Sequence, residues 1–254
     1  MTLSHRILLA VLLCACSTAG LSFAEAISGQ AFQSADIQAL QADEFANPGL
    51  LWADRGAQLW QQPNPQGQSC VSCHGALEEQ RGVATRFPKF DDQSGKLINL
   101  TQQIERCRTD QLNHPPSSYE AESLLALTTA INLQSKDLPF DVQVTGDAAP
   151  FFTSGMNYFY QRRGQMNLSC SQCHDQLVGQ MLRGDKLSQG QSNGYPIYRL
   201  AWQGMGSLHR RLRFCNQGVR AGIHPLGSDI YVNLELYLAW RAGQLPLESP
   251  AVRR

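Results

Sequence analysis

Cys70-Val71-Ser72-Cys73-His74 and, 100 residues further on, Cys170-Ser171-Gln172-Cys173-His174 are the stretches on which the reading of this chain turns. Both are Cys-x-x-Cys-His, the attachment sequence of c-type haem. Two thiols about one helical turn apart can add to the two vinyl groups on one porphyrin edge, and the adjacent histidine then lies under the iron as proximal ligand. A structural zinc site is the competing use of two Cys-x-x-Cys pairs. Zinc, however, has no need of a histidine directly after the second cysteine, and here that occurs both times. A thioredoxin-like pair belongs near a βαβ pattern, which is not seen. The motifs predict two covalently bound haem c groups, attached through Cys70 and Cys73 and through Cys170 and Cys173, with His74 and His174 on the irons.

Working outward, the segments around the motifs match. Gly56-Ala57-Gln58-Leu59-Trp60 precedes the first and Gly155-Met156-Asn157-Tyr158-Phe159 the second, the glycines standing 14 and 15 residues before the first cysteine of each motif. Bulky apolar residues follow at helical spacing. Each half closes on another helical stretch, Ala121 to Leu133 and Asp229 to Ala242. Helix, haem motif, loops and closing helix are the order of a cytochrome c domain. The expected fold is mainly α, with two tandem cytochrome c-type domains related by duplication, 25–145 and 146–254. The turn-rich Gly146-Asp147-Ala148-Ala149-Pro150 marks the boundary. Stretches 76–119 and 175–227 carry little regular pattern and read as long loops wrapping the porphyrins.

The residue opposite each proximal histidine separates electron carriers from catalysts. Between His74 and the boundary there is no Met, which leaves Cys107, His114, an uncommon ligand or an open position. After His174 the candidates are Met181, Met205, His209, Cys215 and His224. Cys107 follows its histidine by 33 residues and Cys215 by 41, in similar surroundings: Glu105-Arg106-Cys107-Arg108 and Arg213-Phe214-Cys215-Asn216. Equivalent positions in two copies of one unit imply thiolate ligation at both irons. A Cys107–Cys215 disulfide is the alternative, and needs Cα atoms within ~7 Å. Arg210, Arg211, Arg213 and Arg220 crowd round Cys215. Guanidinium groups lower a thiol pKa and bind oxyanions through forked hydrogen bonds, which suits an anionic sulfur substrate. Haem propionates or a solvated face are the plainer use of any single one of them.

The composition closes off other classes. Lys plus Arg (21) equals Asp plus Glu (21), so no charge excess points to nucleic acid. The one apolar run, Ile7 to Cys16, is about half the ~20 residues a spanning helix needs. With Arg6 before it and Ser22-Phe23-Ala24 after it, residues 1–24 read as a secretory signal peptide and place the protein in the periplasm. A lipid-modified start at Cys16 is the alternative. Loss of 1–24 leaves 20 basic against 21 acidic residues.

The chain resembles the SoxA family, dihaem subunits of the SoxAX cytochrome of bacterial thiosulfate oxidation. The likeness rests on the export signal, both haem motifs, Glu105-Arg106-Cys107-Arg108 and, above all, Gly206-Ser207-Leu208-His209-Arg210-Arg211-Leu212-Arg213-Phe214-Cys215-Asn216. The resemblance implies His74 and Cys107 as axial ligands of one haem and His174 and Cys215 of the other. It also implies Cys215 as the active-site cysteine, carried as a persulfide, and Arg211 as the substrate-binding arginine. The implied activity is that of an L-cysteine S-thiosulfotransferase. Thiosulfate is joined to a cysteine of the carrier SoxYZ, and two electrons leave through the haems to the partner cytochrome SoxX and a soluble cytochrome c. Monohaem members of the family imply that the first haem is dispensable to the chemistry. A plain electron-transfer dihaem cytochrome, without cysteine chemistry, is the rival reading.

Overall fold

The computed structural model describes residues 25–254. The expected signal peptide, residues 1–24, and the lipidation reading at Cys16 lie outside the described residues. Among the described residues, eight α-helices carry the fold: α1 (Ala35–Ala42), α2 (Gly49–Gln61), α3 (Cys70–His74), α4 (Leu100–Asp110), α5 (Glu122–Gln134), α6 (Ala149–Tyr160), α7 (Leu208–Gly218) and α8 (Asp229–Ala242). Seven short strands accompany them. β1 (Lys89–Asp91) pairs with β2 (Lys96–Ile98), and β3 (Met181–Leu182) with β4 (Asp185–Lys186), each as an antiparallel hairpin. β5 (Ile197–Arg199) lies between β6 (Gly204–Gly206), antiparallel to it, and β7 (Ala251–Arg253), parallel to it.

Two glycines fix the helix crossings. α2 crosses α5 so closely that a Cβ on Gly56 would stand 2.1 Å from the Ala126 carbonyl oxygen. α6 crosses α8 in the same manner, with a Cβ on Gly155 2.0 Å from the Asn233 carbonyl oxygen. Only glycine permits such backbone contact. α5 and α8 are buried along nearly their whole length, because the other helix of the pair and the site walls cover them on all sides. The expected closing helices are thus found, as α5 and α8.

The halves share a core of Leu97, Ala148, Val232 and Leu236, and Lys96 pairs with Asp229 at 2.8 Å. The N-terminal segment lies against β7, where Asn47 Nδ2 donates to the Pro250 carbonyl at 3.0 Å and the Gln41 side chain accepts from Val252 N at 3.0 Å.

The long loops read from 76–119 and 175–227 are shorter than expected, since α4 and α7 lie within them. Both are polar helices with a narrow apolar stripe, Leu100, Ile104 and Cys107 in one and Leu208, Leu212 and Cys215 in the other, too sparse to stand out as a period. Their caps are explicit. Asn99 and Gln102 form a reciprocal capping box on α4, and Ser207 accepts from Arg210 N on α7.

Candidate functional site

The first motif lies on α3, started by a Ser69–Ser72 capping box. A cavity of about 480 Å³ opens beside it, bringing Cys70, Cys73 and His74 together with Cys107 from α4. Its apolar walls include Trp60, Phe87, Leu100, Ile104, Leu127 and Ile131, while Arg86, Lys89 and Arg108 also line it. Trp60 packs its ring 5.8 Å from His74 and donates Nε1–H to the Gly75 carbonyl at 3.0 Å. Burial, then the facing Cys107, push the Cys70 thiol up. The donor set fits a haem: two thiols on one side, a histidine beside them, a sulfur on the facing helix, apolar walls for the ring and cations for its carboxylates.

In the second half the motif runs into a π-helical turn, Gln172–Gln176, a local widening frequent at functional sites. His174 Nδ1 stands 2.8 Å from the Ser188 carbonyl oxygen, which can only accept. Nδ1 therefore carries the proton and Nε2 is the nitrogen able to bind a metal. Gly190, at φ +70°, lies flat on the imidazole, and a Cβ there would stand 2.8 Å from the ring. Arg241 braces the turn, donating to Asp175 at 2.5 Å and to the His174 carbonyl at 3.3 Å. Arg163 lies over the Tyr158 ring and reaches Cys170 Sγ at 3.5 Å.

Cys215 comes from α7 and lies beside His174. Burial alone raises its thiol. The contact with His174 and the Arg211 charge outweigh that, helped by Arg199, so the thiol lies below its ordinary value. Arg211 is held above its usual range: burial lowers it, but Cys215 and Tyr195 raise it more. Arg199 is pushed down, first by burial and then by repulsion from Arg211. Two guanidiniums beside one low-lying thiol make a site for a small dianion.

The neighbouring arginines go elsewhere. Arg210 stacks on Trp202 at 4.2 Å and approaches Glu120 at 3.9 Å, while Arg213 and Arg220 face solvent. Of the other ligand candidates, Met181 is 60% exposed, Met205 is buried in β6 and His209 is engaged with Glu235. His224 packs between Tyr158 and Tyr231. His114 lies in the turn after α4. Cys107 and Cys215 are free thiols, not a disulfide.

Arg199 is the candidate site residue that the sequence reading missed. It lies sixteen residues from Cys215 on β5, where Nε donates to the Arg254 carbonyl at 2.6 Å and the guanidinium stands 5.3 Å from the Trp202 ring. Nothing in the Tyr198-Arg199-Leu200 stretch signals this, because the approach is made by the β5–β6 hairpin that leads into α7.

Residues 55–140 match the family described as SoxA/TsdA, cytochrome c domain, which defines the chain as a c-type cytochrome that binds haem c. It is 39% identical over 238 residues to the L-cysteine S-thiosulfotransferase subunit SoxA of Pseudaminobacter salicylatoxidans, covering 92% of this chain and 83% of that protein. It is 36% identical to the subunit of the same name from Rhodovulum sulfidophilum, covering 91% of this chain and 81% of that one. The crystal structure of SoxXA from P. pantotrophus superposes with a TM-score of 0.86 at 35% identity, covering 89% of this chain and 86% of that chain. The chain belongs to the SoxA family.

Proposed function

We propose that this chain is the haem-bearing, substrate-binding subunit of an L-cysteine S-thiosulfotransferase, working in the periplasm with a SoxX-type partner on thiosulfate and a SoxYZ-type carrier. The names of its relatives and the SoxXA superposition support the activity and the partner. The observation that carries the site is the half-buried Cys215 thiol, lowered by its neighbours His174 and Arg211 with Arg199 beside them.

Two haems are held, one by Cys70, Cys73, His74 and Cys107, the other by Cys170, Cys173, His174 and Cys215. The matching Gly56 and Gly155 crossings support two cytochrome c-type units, 25–145 and 146–254, derived by duplication. When bound, haem supplies one-electron acceptance, with a soluble cytochrome c as the eventual sink. The chain's own residues do the rest. Arg211 and Arg199 neutralise and orient thiosulfate. A sulfur carried on Cys215 as persulfide bonds to the outer sulfur of thiosulfate with loss of two electrons, and the carrier thiolate then displaces the persulfide, leaving with the thiosulfonate.

Intact mass of the purified holoprotein tests this. The expected value is the processed chain plus two haems plus one sulfur that cyanide removes. Cys215→Ser should keep both haems, lose the labile sulfur and abolish thiosulfate coupling. Retained coupling in that variant would leave an electron-transfer cytochrome as the reading.

A further inference from the structure

His209 is fully buried on α7, six residues before Cys215 and two before Arg211, and the site chemistry makes no use of it. Both ring nitrogens are committed. The Gly227 amide donates to Nδ1 at 3.0 Å, so the ring proton is on Nε2, which donates to Glu235 Oε2 on α8 at 2.9 Å. The same carboxylate oxygen accepts from Asn99 Nδ2 at 2.7 Å. Asn99 caps α4, the helix of Cys107, and its Nδ2 also reaches Tyr119 Oη at 2.6 Å. Tyr119 stacks on the His209 ring at 5.0 Å with planes 5° apart, and Gln102, the other half of the α4 cap, donates to the Gly227 carbonyl at 2.9 Å. One buried cluster thus holds the starts of both helices that deliver a cysteine to a haem motif.

We propose that His209, with Glu235 and Asn99, is a positioning unit that sets how α7 presents Cys215 and Arg211 and ties that helix to α4, so that the two cysteine sites are mechanically coupled. Buried polar clusters with every member satisfied fix one arrangement of the elements they join. A helix held at its start by a two-nitrogen clamp cannot rotate without breaking both bonds. The proposal rests on the assignment of Cys107 and Cys215 as the sulfur ligands.

The test uses the holoprotein with its SoxX-type partner. Ferric electron paramagnetic resonance spectra and steady-state kinetics with thiosulfate are recorded for wild type, His209→Phe, His209→Gln and Asn99→Ala. His209→Phe keeps the stack on Tyr119 and loses both hydrogen bonds. It should shift the thiolate-ligated signal of the second haem and lower kcat roughly 10- to 100-fold, as sub-ångström misplacement of a reacting group does. His209→Gln, able to donate to Glu235, should recover part of both. Asn99→Ala keeps the His209–Glu235 bond but removes the link to α4 together with the α4 cap and the Tyr119 contact; the shift that reads the coupling is that of the second haem, which should move with the first. If His209→Phe does not assemble, His209→Gln and Asn99→Ala decide by the same two readouts. Spectra and kcat unchanged from wild type, with only Tm lowered, would overturn the positioning role. Two signals that move independently in Asn99→Ala would overturn the coupling. Wild type lacking thiolate-ligated signals would instead remove the ligand assignment itself.

Discussion

Cys215 gains its character from neighbours that differ in how visible they are in the sequence. Arg211 is on the same helix four residues before it, so one turn brings guanidinium and sulfur to the same face. Arg210, one residue earlier still, is rotated by about 100° and finds Trp202 instead. Spacing alone could not separate the two before the direction of the face was known. Arg199 was illegible for a different reason: its approach depends on the β5–β6 hairpin that folds back just before α7, and the three-residue strands carry no pattern that marks it. A charge-assisted hydrogen bond contributes about 1.5–3 kcal/mol, so Arg211→Ala should raise the KM for thiosulfate roughly 10- to 100-fold. Arg199→Ala should act in the same direction, with haem content of both variants unchanged by absorbance. Lysine at either position should recover only part, because it keeps the charge and loses the planar fork.

At the level of elements, the haem motifs announced themselves through residue identity, whereas α4 and α7 did not, since burial against a cofactor wall needs only one apolar residue per turn. The pairings α2–α5 and α6–α8 were legible as helices but not as crossings, because the decisive datum is what lies opposite one glycine. Gly155→Ala would force its methyl into the Asn233 carbonyl. Differential scanning calorimetry should show a loss of about 1–3 kcal/mol or more, the range for an overpacked contact. Gly218→Ala, at the end of α7 with nothing within 4 Å, should be neutral or stabilising by up to about 1 kcal/mol. The β1 hairpin is fastened to α4 by Arg106 and Asp91 at 2.9 Å, and hydrogen bonds from Arg106 and Ser94 lower the Asp91 carboxyl to about 2 from 3.8. A carboxyl depressed in the folded state contributes its stability in full above its unfolded pKa and loses it as pH falls through the folded one. Acid titration of wild type against Asp91→Asn should therefore show the wild-type advantage shrinking between about pH 4 and pH 2, and constant above that window.

On the scale of the molecule, the mainly α architecture followed from the two motifs and their flanking helices, while the way the halves join did not. That junction is made by single side chains, Asn99, Lys96 and Glu235 among them, that carry no mark in the sequence. The first site is a cavity of about 480 Å³ walled by side chains that would otherwise form a core. Left without an occupant, that cleft exposes its apolar walls to water, which weakens the packing of the helices around it. Cys70→Ala combined with Cys73→Ala, which prevents haem attachment there, should leave residues near α2 to α5 unfolded. Limited proteolysis and near-ultraviolet circular dichroism would register it, and native-like protection of that half would contradict it.

The clasp between the two ends has a temporal meaning. Gln41 accepts from Val252 across 211 residues, so β7 and the N-terminal segment cannot meet until all the residues between them have been made. Contacts of such long sequence separation are late events, because the loop entropy must be met before they form. The elements of the first site, from α2 to α5, are contiguous and can assemble early. β7, by contrast, can join β5 only after the residues that form it have been made. Assembly thus has a built-in order: the contiguous helices around the first motif can close on one another before the N-terminal segment and β7 meet.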